Sequence, residues 1–98
     1  MAIIISIRVQ EKLLYKIPPV RRYEIEECFW NRTTRILIEN RGKHRTNPPS
    51  RWFIAETIAG RTLKVVFILD RNGDQIIKTA YVPSLAEEKI YEEKIRVR

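Results

Sequence analysis

The sequence predicts an α+β fold. Its core is an antiparallel four-stranded meander packed on helices, with or without an N-terminal strand as a fifth, in the order β-α-α-β-β-β-β-α. Three observations predict it. Apolar residues recur at helical spacing from Gln10 to Asn31, switch to a period of two from Thr34, and return to helical spacing after Pro83. Two glycine-bearing turns, Ala59-Gly60 and Asp70-Arg71-Asn72-Gly73-Asp74, divide the period-two region. The 98 residues, 44% of them hydrophobic, suffice for a single domain with one core, over residues 1–98.

Ala2–Val9 is β-branched and alternates late, with Ile5, Ile7 and Val9 against Ser6 and Arg8, so it reads as a strand. Gln10–Ile17 sets Leu13, Leu14 and Ile17 on one helical face, and Pro18-Pro19 stops that helix. A second helix runs from Val20 to Asn31, with Ile25, Cys28 and Phe29 facing the core. Thr34–Glu39 and Arg51–Ile58 read as strands. Thr62–Leu69, apolar on both faces apart from Lys64, reads as the central strand, and Gln75–Val82 closes the meander. Ser84-Leu85-Ala86-Glu87 fits a capping box for a last helix that reaches Lys94, burying Ala86, Ile90 and Tyr91 and turning Glu87, Glu88, Glu92 and Glu93 to water.

Turn length decides which side chains share a sheet face. A two-residue Ala59-Gly60 turn places Ala55 opposite Lys64, so Arg51, Phe53, Thr57 and Lys64 share the open face while Trp52, Ile54, Leu63, Val65 and Phe67 meet the helices. At the second turn, a two-residue Asn72-Gly73 connection puts Tyr81 opposite Lys64 with Thr79 nearby. A three-residue loop brings Lys78 to that face instead.

The charge points to anionic partners. The chain carries a formal +7 and a pI near 9.9. Arg41-Gly-Lys-His-Arg-Thr-Asn-Pro-Pro-Ser-Arg51 concentrates Arg41, Lys43, His44, Arg45 and Arg51, and no acidic residue occurs from Asn40 through Ala55. Such a loop fits a phosphate backbone, although a charge run can also be a solvated surface. No apolar run can span a bilayer, and no helix joins a wide apolar face to a uniformly basic one, so a membrane partner is not expected. One cysteine, Cys28, rules out an internal disulfide. Together with the lack of a secretory-signal pattern, it makes the cytoplasm the expected location. One Cys and one His cannot build a zinc site, and no carboxylate cluster has ligand spacing, so neither metal nor cofactor is expected.

Lys, Arg, His and Tyr without a metal suit RNA cleavage by internal transesterification, where the 2′-hydroxyl is the nucleophile. His44 is a candidate base or acid, Lys64 a charge stabiliser, and Tyr81 a proton donor or stacking ring. Arg45 and Arg51 are candidates for holding phosphate, with Arg41, Lys43 and Lys78 as further basic contacts. A non-catalytic basic module for nucleic acid or an acidic protein is the competing reading.

The segments His44-Arg-Thr-Asn-Pro-Pro-Ser-Arg-Trp-Phe-Ile-Ala-Glu-Thr, Gly60-Arg-Thr-Leu-Lys-Val-Val-Phe-Ile and Ile77-Lys-Thr-Ala-Tyr-Val-Pro resemble the BrnT-like branch of the RelE toxin superfamily. The resemblance spans Arg22 to Glu93. It implies a RelE/BrnT-like fold and a bacterial ribonuclease toxin of a type II toxin–antitoxin pair, halting translation by cutting RNA. Carried over by position, its working residues are His44, Arg45, Arg61, Lys64 and Tyr81. The partners it implies are RNA, with ribosome-associated mRNA as one form, and a cognate antitoxin. Self-association is left open.

Overall fold

The computed structural model describes residues 2–39 and 46–96. Their order is β1 (Ile3–Ile4), α1 (Ile7–Leu14), α2 (Arg22–Asn31), β2 (Leu37–Ile38), β3 (Arg51–Glu56), β4 (Thr62–Leu69), β5 (Gln75–Tyr81) and α3 (Leu85–Arg96). The α+β class is as expected. The sheet among the described residues has five strands in the order β1-β5-β4-β3-β2. β1 runs parallel to β5 and every other pairing is antiparallel, so the sheet is mixed.

The N-terminal strand is shorter than the alternation predicts. Ser6 Oγ accepts a hydrogen bond from the Val9 N–H at 3.2 Å and caps α1, which starts at Ile7. Leu13 is buried, but Ile17 lies beyond the helix and is almost fully exposed. A short alternating run cannot by itself be told from the start of a helix, and here the cap residue decides.

α2 supplies the core face expected of it. Ile25 and Cys28 are fully buried, and Phe29 packs edge-on to Phe53 and Phe67, with ring centroids 4.8 and 5.3 Å apart. Phe53, Leu63, Val65, Phe67, Ile77 and Ala80 complete this side of the sheet.

The face assignment for β3 is overturned. Ile54, not Ala55, lies opposite Lys64, and Phe53 lies opposite Val65. The connection is a three-residue loop: Thr57 N–H bonds to Arg61 O, Gly60 N–H to Thr57 O, and Gly60 sits at φ 89°. One extra loop residue shifts the register by one and exchanges every β3 side chain between faces. Trp52 and Ile54 therefore share Lys64's face, while Phe53 and Arg51 face the α2 side. Thr57 is buried in the turn, where its Oγ1 accepts from the Arg61 N–H at 3.0 Å.

The second turn is also a three-residue loop, with Gly73 at φ 82° and Asp70 Oδ1 accepting from the N–H groups of Asn72 and Asp74. A bulge between Val66 and Phe67 then absorbs the extra residue, and Lys64 pairs with Tyr81 after all. Since Lys78 has no partner of its own in β4, both Lys78 and Thr79 reach the Lys64 side.

Helices occupy both faces. α3 crosses the Lys64 side, where Tyr91 packs on Trp52 with centroids 5.3 Å apart and its hydroxyl donates to Arg35 O at 2.9 Å. The sheet-facing row of α3 is Glu87, Tyr91 and Ile95, whereas Ala86 and Ile90 are exposed. Helical spacing alone cannot choose between two rows one residue apart. The polar groups Glu87 and Tyr91 win because partners wait for them on the sheet.

Candidate nucleic-acid interface

Lys64 is the centre of the site. It is 8% exposed, a rare state for a lysine, and its surroundings compensate for the lost water. The ammonium lies 4.4 Å from the Trp52 ring centroid and 5.6 Å from that of Tyr81. Its Nζ donates to Glu87 Oε2 at 2.9 Å, and the Tyr81 hydroxyl donates to the same oxygen at 2.7 Å. The predicted capping box closes the arrangement: Ser84 N–H donates to Glu87 Oε1 and Glu87 N–H to Ser84 Oγ, both at 3.1 Å.

These contacts set the protonation states. Burial pushes the Glu87 carboxyl up. The hydrogen bonds from Ser84, Tyr81 and Lys64, with the ammonium charge, outweigh that effect and hold it at about 2. Tyr81 is raised from its ordinary 10.0, by burial first and then by its bond to the Glu87 anion, with Lys64 acting in the opposite direction. At neutral pH the site therefore holds a carboxylate and a protonated phenol.

Two pockets flank Lys64. One, of about 280 Å³, lies between the sheet and α3 and is lined by Glu39, Trp52, Lys64, Glu87, Ile90 and Lys94. The other, of about 310 Å³, extends along the sheet to Ser50, Val66, Lys78 and Thr79. Lys78 is exposed and donates a long 3.3 Å hydrogen bond to the buried Ser50 hydroxyl. Ser50 also holds the loop stems together: its carbonyl accepts from the Glu39 N–H at 2.8 Å, and its Oγ lies 3.2 Å from Thr46 Oγ1.

The predicted site residues divide into three groups. Lys64, Tyr81 and Lys78 meet on one face. Arg41, Lys43, His44 and Arg45 lie outside the described residues, joined at both ends to stems that meet at Ser50 beside the second pocket. Arg51 and Arg61 sit elsewhere. Arg51 borders a pocket with Phe29, Arg32 and Phe67 on the α2 side. Arg61 is bound up in an anchor: its guanidinium donates to Glu24 at 3.1 Å and to the carbonyls of Pro18 and Pro19 at 2.8 and 2.6 Å.

No family model, curated protein or solved structure matches this chain. What the site can do follows from its own residues.

Glu87 is the participant that sequence reasoning missed, having been assigned to the solvated side of the last helix. Two signals pointed to it. Lys64 in an apolar strand requires a counter-ion, and the capping box places Glu87 in the first turn of α3. Among the described residues no group of three His, Cys, Asp or Glu side chains could hold a metal ion, and no helix is long and apolar enough to cross a membrane.

Proposed function

We propose that this protein is a metal-independent endoribonuclease, acting as the toxin of a type II toxin–antitoxin pair. The observation that carries this reading is the pairing of the buried Lys64 with Tyr81, Lys64 lining a pocket that leads to Lys78 and the stems of the basic loop. The resemblance to BrnT-like toxins supports it independently of that geometry.

In this reading a phosphodiester lies across the Lys64 face. His44 takes the proton of the 2′-hydroxyl, whose oxygen attacks phosphorus and leaves a 2′,3′-cyclic phosphate. Lys64 stabilises the charge developing on the phosphoryl oxygens. Tyr81, kept protonated by its surroundings, gives its proton to the departing 5′-oxygen. Lys78, Arg41, Lys43 and Arg45 hold the neighbouring phosphates.

The test is inducible expression in a bacterial host, alone and with the product of the adjacent gene, scoring growth and RNA integrity. Growth arrest with RNA loss, relieved by the neighbour, supports the toxin. Cleavage at wild-type level in folded His44→Ala, Lys64→Ala and Tyr81→Phe variants removes this site.

A second reading, a non-catalytic basic module for nucleic acid or an acidic protein, draws on the Lys64–Glu87 ion pair, which neutralises the central cation. RNA binding that weakens steeply with salt, with no cleavage product, favours it.

A further inference from the structure

Three donors converge on the Glu87 carboxylate. Lys64 Nζ from β4 and the Tyr81 hydroxyl from β5 reach Oε2 at 2.9 and 2.7 Å. The Ser84 N–H, at the start of the twelve-residue α3, reaches Oε1 at 3.1 Å, and Trp52 lies beneath the ammonium on β3. Donors of this kind are those that bind phosphoryl oxygens: an ammonium, a phenol and a backbone N–H at a helix N-terminus. The sheet holds Lys64 and Tyr81, while Glu87 hangs on a flexible side chain that is 29% exposed. A change of its rotamer leaves the Lys64 and Tyr81 donors where they are, beside pockets that open on Lys64 from two sides.

We propose that Lys64, Tyr81 and the Ser84 N–H form an oxyanion site for a phosphodiester group of single-stranded RNA, and that Glu87 is its resident competitor, which the phosphate displaces. The ligand class rests on the ribonuclease reading; the site and its occupant rest on the geometry. With Glu87 in place, only the fraction of molecules with its carboxylate swung out can bind, so apparent affinity is reduced by that fraction. The low carboxyl value of about 2 agrees with a well-held resident anion. Glu87 is then a regulator of access, and its removal strengthens anion binding. A residue that positions Lys64 for the same ligand would do the opposite.

The experiment measures affinity for inorganic phosphate and for a short uncleavable single-stranded RNA analogue, carrying 2′-O-methyl groups, in the wild type, Glu87→Gln and Lys64→Met/Glu87→Gln. Glu87→Gln removes the competing charge, and its neutral amide gives up the Lys64, Tyr81 and Ser84 donors more readily than the carboxylate does. Its phosphate affinity should rise on the order of tenfold, and the gain should vanish in the double variant. Phosphate binding to folded Glu87→Gln no tighter than to wild type overturns the proposal. If phosphate binding rises while RNA binding does not, the oxyanion site stands and RNA as its ligand fails. Should Glu87→Gln fail to fold in dilute buffer, phosphate is expected to restore folding, and no restoration by phosphate or sulfate overturns the proposal.

Discussion

Lys64 and Tyr81 face each other across β4 and β5 and donate to a single oxygen, Oε2 of Glu87, at 2.9 and 2.7 Å. Three titratable groups thus form one hydrogen-bonded unit that ties α3 to the sheet. Alteration of any one changes the surroundings of the other two.

Breaking this unit from one side should cost more than dismantling it. Glu87→Gln leaves a nearly buried ammonium without its counter-ion and is expected to destabilise the fold by about 2 kcal/mol, the usual penalty reduced for Glu87's partial exposure. Lys64→Met/Glu87→Gln should recover much of that loss. Urea denaturation of both single variants and the double variant measures the coupling. Additive losses would show that the pair contributes nothing as a pair.

Acid should weaken the fold through Glu87. Its carboxyl is lowered from an ordinary 4.5 to about 2, so its contribution is complete above pH 4.5 and disappears as pH falls through 2. The contribution is at most about 3 kcal/mol. Tyr81 acts at the opposite end: its value is raised, so its contribution is present below pH 10 and is lost as pH rises beyond that. Melting temperatures between pH 2 and 6 should flatten in Glu87→Gln relative to wild type.

Arg61 should prove structural. Arg61→Ala removes hydrogen bonds to Glu24, Pro18 and Pro19, which join the β3–β4 turn to the α1–α2 connection, and should cost about 2 kcal/mol. Arg61→Lys should not restore it, because one ammonium cannot reproduce the guanidinium fork. Thermal melting tests the loss. RNA affinity close to wild type in the folded variant separates this role from the phosphate contact expected from the family resemblance.

Gly60→Ala tests the turn that decides the register. An added Cβ meets nothing within 4 Å, so the cost is confined to holding alanine at φ 89°, about 1 kcal/mol or somewhat more. A change of fold instead of a modest stability loss would mean the turn alone dictates strand pairing.

Cys28 should be inert. Burial, reinforced by Glu24 and Glu27 and partly offset by Arg61, pushes its thiol up to about 12, which leaves almost no thiolate at neutral pH. Alkylation by iodoacetamide should proceed only as fast as unfolding exposes the residue. Rapid labelling of the native protein would contradict this burial.

Much of the architecture was legible from local pattern. The apolar row Ile25, Cys28 and Phe29 on α2, the apolar strand around Lys64, the Ser84–Glu87 capping box and the two glycine turns each follow from neighbours a few residues apart. What local pattern could not supply was everything that depended on a count of one. A three-residue loop in place of a two-residue one moved Trp52 beneath Lys64 and turned Arg51 away. A single bulge brought Lys78, Thr79 and Tyr81 to the same side. Periodicity offered α3 two adjacent rows, and the sheet selected the one carrying Glu87 and Tyr91.

By itself, then, the sequence determined the class of fold, the apolar face of α2 and the apolar strand that carries Lys64. Only the tertiary structure decided that Glu87 would be the anion beside Lys64 and that Tyr81 would share it. Side-chain alternation is a property of the local backbone, whereas the choice of face and partner depends on register, which distant strands settle by packing together.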